Sequence, residues 1–317
     1  MSSVPHRPGA RPRASVLFLA LAVAAAACAS TKTAAAPPPT TTGVAGFPVT
    51  IGTVTVRARP TAIISLSPTA TEDLFAIGAG SQVIAVDDQS DYPASAPKTS
   101  LSGYKPNIEA IAAKRPDLVI VADDSSGVSG ALAKLAIPTL VEDAAANLEG
   151  AYAQIEQLGT ATGHAQAAVA LVTSMRASIA STVAAQPHRA TAPRIYHEVD
   201  QTFYSATSKT FIGQLYTLLG ARDIADAADS QGSGYPQLSP EYIVKADPDV
   251  IFLADSLCCG QTPSTVAARP GWSVITAVES HAIVTLNDDV ASRWGPRVVD
   301  LVKAIAAGLA LAPPGTP

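Results

Sequence analysis

The chain has 317 residues, of which 48% are hydrophobic and 15% charged, and its formal net charge is −5. This length allows two ordinary lobes with hydrophobic cores of their own. The acidic balance, and the lack of Lys/Arg clusters after the first thirty residues, argue against nucleic acid as a partner.

The N-terminus has the pattern of an export signal. Three arginines between positions 7 and 13 precede an apolar run of 12 residues, Val16–Ala27, which ends at Cys28. A bilayer span needs about 20 apolar residues, so the run indicates a signal peptide over residues 1–28. The small residues before Cys28 resemble a bacterial lipobox, so we expect lipidation of Cys28 and an anchor on the outer face of the cell membrane. An ordinary signal peptide with an incidental Cys28 is the alternative.

Residues 29–47 consist mainly of Ala, Pro, Thr and Gly. Such a segment buries too little apolar surface to offset the entropy of ordering it, so we predict a flexible tether. No later run suggests a membrane span. The remainder is therefore predicted to be soluble and extracytoplasmic.

After the tether, short apolar runs alternate with helical patterns, which is typical of α/β units. A hairpin across Gly52 comes first, and an N-terminal α/β lobe is predicted over residues 59–146. The first strand of this lobe leads into a helix that is capped either by Ser67 or by a capping box of Thr69 and Glu72. The predicted strands are 62–66, 83–86, 118–122 and 139–141.

Helical spacing of apolar residues predicts two helices in the middle of the chain, at 147–161 and 165–185. The second would be about 30 Å long at 1.5 Å per residue. Together they form a helical linker over residues 147–190. A C-terminal α/β lobe follows over residues 191–312, with strands at 194–199, 250–254 and 282–286 and helices at 210–219 and 296–311.

An internal echo relates the two halves of the chain. Residues 107–123 match residues 239–255 in register. In both segments a polar cap opens a short helix, and a Glu follows two positions later. A Pro-Asp pair stands seven residues after that Glu and leads into an apolar strand ending in Ala-Asp. Two such units on either side of the long helix predict two lobes of similar build.

Four sequence features resemble the iron-siderophore/cobalamin class of periplasmic binding proteins, and the likeness runs from about residue 59 to residue 312. They are Ile-Ile-Ser-Leu-Ser-Pro-Thr-Ala-Thr-Glu at 63–72, Ser-Asp-Tyr-Pro at 90–93, the two Glu…Pro-Asp units, and Gly-Pro-Arg at 295–297. The resemblance implies a class III periplasmic binding protein over residues 62–312, with two Rossmann-like α/β lobes joined by a long backbone helix. It implies a monomer without a cofactor that holds a metal-chelate nutrient between its lobes and delivers it to the permease of an ABC importer.

The resemblance also assigns roles to single residues. The family docks its permease through one Glu on each lobe, and the matching positions are Glu109 and Glu241. The alternative is that each Glu only complements the dipole of its helix.

Candidate ligand contacts lie in the loops beyond the strand ends, where α/β folds hold ligands. Aromatic faces suit a flat macrocycle, and similarity to cobalamin-binding members selects tyrosines in these loops. A corrinoid is therefore expected, with a ferric siderophore or haem as the alternative. The predicted ligand-binding set is Tyr92, Tyr104, Tyr235, Arg293 and Trp294.

Other reactive residues give weaker signals. Cys258 and Cys259 are neighbours, so they either close a disulfide ring with each other or stay as thiols; they cannot join distant elements. His197-Glu198 is the one pair suggestive of acid–base chemistry, and strand alternation predicts that one of the two side chains faces solvent. The histidines are scattered, so no metal site is predicted. Because no nucleophile motif accompanies these residues, no enzymatic activity is predicted.

Overall fold

The structure is a computed structural model and describes residues 46–314. The predicted signal peptide and the lipidation of Cys28 lie outside the described residues, as does the predicted tether apart from its last two residues. Phe47, the last of these, packs half-buried against the hydrophobic core. An antiparallel hairpin follows, formed by β1 (Val49–Ile51) and β2 (Val54–Val56).

The N-terminal lobe is built on a five-stranded sheet of parallel pairs. Its strands are β3 (Ile63–Leu66), β4 (Val83–Asp87), β5 (Lys98–Leu101), β6 (Leu118–Val121) and β7 (Thr139–Val141), in the spatial order β5-β4-β3-β6-β7. Its helices are α1 (Pro68–Ala76), α2 (Ile108–Ala113) and α3 (Val128–Ala133). The central strands β3 and β6 are buried throughout, as expected for parallel strands covered on both faces.

The start of α1 decides between the two predicted caps. The Ser67 side chain accepts a hydrogen bond from the Ala70 N–H, and Pro68 occupies the first turn. Glu72 therefore takes no part in capping, and its carboxylate is available for another contact.

The two predicted linker helices are α4 (Leu148–Thr162) and α5 (Ala165–Ala184). Gly163 separates them, in the left-handed conformation that often ends a helix. By length and composition α5 could cross a membrane, so the expectation that no later segment has this property was wrong. In the structure α5 packs against α4 and the C-terminal helix of the chain, and it buries one stripe: Ala168, Val172, Met175 and Ile179.

The C-terminal lobe has a four-stranded parallel sheet. Its strands are β8 (Arg194–Glu198), β9 (Arg222–Asp223), β10 (Val250–Leu253) and β11 (Ile283–Thr285), in the spatial order β11-β10-β8-β9. Its helices are α6 (Phe211–Leu218), α7 (Pro240–Ala246), α8 (Ser256–Cys259), α9 (Pro263–Ala267), α10 (Thr276–Glu279), α11 (Asp288–Ala291) and α12 (Val298–Leu309). Short 3₁₀ helices lie at Gly80–Gln82, Ile224–Ala227 and Trp272–Val274.

One hydrophobic cluster runs through both lobes. It joins one face of the N-terminal sheet to α4, α5 and the C-terminal sheet, whereas a smaller cluster fills the other face of the N-terminal sheet under α2 and α3. Alternation along β3 places Ile63 in the large cluster and Ile64 in the small one. The lobes are therefore continuous through their core.

The interpretation of His197-Glu198 was wrong. Strand alternation turns the two side chains to opposite faces of β8, but both are buried because helices and loops cover the sheet on both sides. His197 Nδ1 lies 2.8 Å from the Tyr216 hydroxyl, and burial lowers the pKa of His197 to about 4. Glu198 forms an ion pair with Arg269. Both side chains therefore have structural partners.

Candidate functional site

The candidate ligand residues lie where the parallel strands of each lobe end. Tyr92 follows β4 and Tyr104 follows β5. Tyr235 lies in a segment that pairs with the chain after β8, through the Ser205 N–H to the Pro236 carbonyl and the Thr207 N–H to the Gly234 carbonyl. Parallel strands end at a common edge, so these tyrosines mark the carboxyl edges of the two sheets.

The tyrosines at these edges are open to solvent. Tyr104 is 85% exposed, Tyr235 49% and Tyr92 48%. The Tyr92 ring is covered on one side by the guanidinium of Arg297, 4.3 Å from the ring centroid. Sequence reasoning missed Tyr204, which is 39% exposed and faces Gln237 across an isolated bridge; its position shortly after a predicted strand was the available signal.

Arg293 and Trp294, the other two predicted ligand residues, contact the N-terminal lobe and the linker helix α4, respectively. The nearly buried guanidinium of Arg293 donates to Glu72 Oε1 at 3.0 Å, Asp91 Oδ1 at 2.8 Å, Asp289 Oδ1 at 2.8 Å and the Gln89 carbonyl at 3.1 Å. The Trp294 Nε1–H donates to Gln154 Oε1 of α4 at 2.7 Å. These polar groups are thus directed to protein partners instead of to open space.

A second arginine completes the contact between the lobes. Arg297 Nε donates to Glu72 Oε2 at 2.8 Å, so both oxygens of this buried carboxylate are used. We call Glu72, Asp91, Asp289, Arg293 and Arg297 the interlobe clamp. The sequence did not reveal the clamp, because Glu72 and Arg297 lie 225 positions apart.

The clamp changes the pKa of one of its own carboxylates and of a neighbouring one. Partial burial acts to raise the pKa of Asp91, but the hydrogen bond and charge of Arg293 outweigh it, and the pKa lies below its usual range. Asp73, next to Glu72, has the opposite environment: full burial, followed by the charges of Glu142 and Glu72, raises its pKa well above its usual range. The pKa of Glu142 is itself raised to about 8, by burial and then by the charge of Asp143.

The two echo units have a common structural core. The Asp117 carboxylate accepts hydrogen bonds from the N–H groups of Thr61 and Ala62, at 2.8 and 3.0 Å, just before β3. The Asp249 carboxylate accepts from the Arg194 N–H at 2.7 Å at the start of β8, and from the Arg194 side chain. Each Pro-Asp pair therefore joins the start of one central strand to the start of its neighbour.

The glutamates of the echo units, Glu109 and Glu241, do not join strands in this way. Both are exposed and stand in the first turns of α2 and α7, which are capped by the side chains of Asn107 and Ser239. Each helix leads into a parallel strand, so its first turn lies near that strand's carboxyl edge. Among residues 46–314 neither carboxylate forms an ion pair.

Cys258 and Cys259 form a disulfide within α8, directly after β10. The residue before this helix, Asp255, is buried, and within the described part of the chain neither of its carboxylate oxygens has a hydrogen-bond partner. Burial, and then the negative charge of Glu198, raises the pKa of Asp255 to about 7. The edge of the C-terminal lobe therefore carries an exposed disulfide in the helix that follows a buried carboxyl group.

A cavity of about 1100 Å³ lies away from these residues, between the hairpin and the edge strand β7. None of the predicted ligand residues lines it. Within residues 46–314, no group of three or more His, Cys, Asp or Glu side chains is placed to hold a metal ion.

Comparison with known proteins gives consistent matches. Residues 63–290 match the sequence profile described as "Periplasmic binding protein". An uncharacterized ABC transporter substrate-binding lipoprotein of Bacillus subtilis, YvrC, is 30% identical over 281 residues, which cover 83% of this chain and 86% of that protein. A cobalamin-binding protein of Halobacterium salinarum is 29% identical over 262 residues, which cover 80% of this chain and 70% of that protein.

A solved structure shares the fold. The periplasmic vitamin B12 binding protein BtuF of Vibrio cholerae superposes with a TM-score of 0.66 at 24% identity, covering 80% of this chain and 97% of that one. The predicted class III architecture, with two α/β lobes joined by a backbone helix, is thereby confirmed.

Proposed function

This chain belongs to the periplasmic binding protein family, and from that premise we propose that it captures cobalamin or another corrinoid between its lobes for an ABC importer. The family consists of transport components, not enzymes. The observation that carries the choice of ligand is the likeness to a cobalamin-binding protein over 80% of the chain, together with exposed tyrosines at both sheet edges.

The exposed tyrosines support a flat, largely apolar ligand. The chain has only eight tyrosines, six phenylalanines and two tryptophans, and Tyr92, Tyr104, Tyr204 and Tyr235 all lie near the carboxyl edges with more than a third of their surface exposed. Covering exposed aromatic faces with a macrocycle removes apolar surface from water, which favours binding. The tyrosines of the N-terminal lobe and those of the C-terminal lobe would contact a corrin ring held between them.

The charge distribution supports a corrinoid over an anionic siderophore. A ferric siderophore of high negative charge needs unpaired Arg or Lys groups at its site. Arg293 and Arg297 are already neutralised by Glu72, Asp91 and Asp289 in the interlobe clamp. These two arginines are therefore not available to an anionic ligand, and of the charges beside the exposed tyrosines Lys105, next to Tyr104, is the one without an ion pair among residues 46–314.

Delivery to the permease would use Glu109 and Glu241. Their side chains are exposed, and they occupy matched positions on the two lobes at the edges where the ligand would sit. A pair of carboxylates in this arrangement can set the register of docking onto a basic permease surface. Anchoring through a lipid on Cys28 would keep the protein near that permease, and a relative named as a lipoprotein supports this part of the proposal.

The test is a titration of the purified full chain with cyanocobalamin, an anionic catecholate ferric siderophore and haem, followed by absorbance and by tyrosine and tryptophan fluorescence. We expect cyanocobalamin to bind with a Kd of about 1 μM or tighter, and the two iron chelates to bind at least about a hundredfold more weakly. Tighter binding of haem or of the ferric siderophore would overturn the choice of ligand and leave the transport role intact.

A further inference from the structure

The disulfide between Cys258 and Cys259 is expected to contribute little to the stability of the lobe. A disulfide stabilises a fold mainly by closing a loop in the unfolded chain, and its effect grows with the length of that loop. Adjacent cysteines enclose no intervening residue. They are also the only cysteines between residues 46 and 314, so within this part of the chain the pair cannot exchange with another disulfide.

The turn that carries the cysteines is held by other bonds. The Asp288 carboxylate accepts hydrogen bonds from the backbone N–H groups of Ser256 at 3.0 Å, Leu257 at 2.8 Å and Cys258 at 2.9 Å. The Ser256 hydroxyl donates to the same carboxylate at 2.9 Å. Opening of the S–S bond therefore leaves the backbone of the turn in place, with two thiols side by side.

Both sulfur-bearing residues are open to reagents in solution. Cys258 and Cys259 are exposed, as are Leu257 before them and Gly260 after them. The turn follows β10 at the carboxyl edge of the C-terminal sheet. A small thiol can therefore reach the S–S bond without any movement of the lobes.

We propose that Cys258–Cys259 is a reversible thiol–disulfide exchange site whose reaction partner is a low-molecular-weight thiol, and this assignment does not depend on the identity of the cleft ligand. A thiolate attacks one sulfur, the S–S bond breaks, and the other cysteine leaves as a thiolate. A second thiolate then attacks the mixed disulfide and releases the small disulfide. Two small thiols are oxidised, the protein disulfide takes up two electrons, and the two protons end on Cys258 and Cys259.

Adjacency controls the reverse reaction. When one cysteine carries a mixed disulfide, the neighbouring thiolate is held next to it on the same turn and can expel the small thiol. Re-closure is then an intramolecular step, and it returns the same Cys258–Cys259 bond. The site is therefore expected to cycle between two states and not to accumulate the mixed form.

The proposal is tested on the folded full chain in glutathione buffers of different ratio. Free thiols are trapped with N-ethylmaleimide, and the peptide containing Cys258 and Cys259 is analysed by mass, which separates it from Cys28. We expect the peptide to change from unmodified to doubly alkylated in one step and to return on addition of glutathione disulfide, with unchanged circular dichroism. Reduction only in denaturant, or a failure to re-oxidise, would overturn the proposal.

Single variants provide a second, independent readout. Cys258→Ser and Cys259→Ser each remove the resolving thiol, so we expect the remaining cysteine to accumulate a stable mixed disulfide with glutathione. The double variant should keep its thermal midpoint within about 2 °C of the parent protein. A larger loss would show that the disulfide is a structural support, which contradicts the exchange assignment.

Discussion

The two lobes contain the same sequence unit, but its parts do not have the same environments in each. Asp117 and Asp249 both tie one strand to its neighbour, and Glu109 and Glu241 are both exposed. The final Asp of the unit differs, because Asp123 is exposed after β6 whereas its counterpart after β10, Asp255, is buried beside Glu198. The first Glu and the Pro-Asp pair of the unit therefore have similar environments in both lobes, whereas the final Asp is buried in the C-terminal lobe only.

The largest expected effect concerns the matched glutamates. The double variant Glu109→Lys/Glu241→Lys should lower cobalamin uptake at least about tenfold in cells that depend on this protein, because like charges oppose the permease surface. Its ligand affinity in solution should be unchanged. Glu279→Lys is the matched control, because Glu279 is an exposed glutamate in α10, which leads into the amino end of β11. Equal uptake by the double variant and the control would rule out docking through these residues.

The interlobe clamp, unlike the repeated units, is asymmetric, because the N-terminal lobe supplies Glu72 and the C-terminal lobe supplies Arg293 and Arg297. Glu72→Ala leaves two guanidinium groups without their central carboxylate, which should lower the free energy of unfolding by about 3–5 kcal/mol. Urea unfolding followed by tryptophan fluorescence measures this loss. Glu156→Ala, at an exposed position of α4, is the control; a loss no greater than the control's would mean that the clamp contributes nothing to stability.

The Pro-Asp ties should differ in strength between the lobes. Asp117→Ala removes the acceptor for two backbone N–H groups, with an expected loss of about 1–2 kcal/mol in the free energy of unfolding. Asp249→Ala also removes the partner of the Arg194 side chain, so about 2–3 kcal/mol is expected. Chemical denaturation of both variants tests the order, and a reversed order would refute the comparison.

The smallest expected effect is the pH dependence contributed by Asp255. The folded-state pKa of Asp255 is raised to about 7, above the ordinary value of about 4. Between these values the folded protein holds a proton that the unfolded chain has lost, so stability falls as the pH rises from about 4 to about 7 and is level above that. Asp255→Asn removes this contribution.

The measurement is the free energy of unfolding from about pH 6 to about pH 8, the upper part of the window in which Asp255 titrates. Across that range Asp255→Asn should reduce the decline by about 1–2 kcal/mol relative to the parent protein. Asp123→Asn is the matched control from the other lobe; hydrogen bonds from Ser125 hold the pKa of Asp123 below its usual range, so its removal should not reduce the decline. Identical curves for the parent protein and Asp255→Asn would show that Asp255 does not titrate in this range.

The sequence predicted the elements whose signals are local. Apolar runs located β3, β6, β8 and β10 to within about two residues, and helical spacing located α4 and α5. Two edge strands were missed: β5, Lys-Thr-Ser-Leu, has a single strongly apolar residue, and β9 has only two residues. Periodicity cannot detect an edge strand that lacks a buried face.

The candidate site was predicted less completely, because its contacts join distant parts of the chain. The tyrosines could be found from their position after strands. Sequence alone could not show that Arg293 is directed to Glu72, 221 positions away, or that Glu198 pairs with Arg269. From the sequence, an arginine in a loop can look like a ligand contact. The fold shows that a distant carboxylate already neutralises it.

The central claim, that exposed tyrosines at both lobe edges hold a corrinoid, is tested most directly by calorimetric titration of cyanocobalamin into the full chain and its Tyr104→Ala and Tyr235→Ala variants. Each variant should weaken binding about tenfold, or about 1.4 kcal/mol, through lost aromatic contact. Leu135→Ala, an exposed apolar residue before the amino end of β7, should bind as the parent protein does. Unchanged affinity in both tyrosine variants would contradict the account.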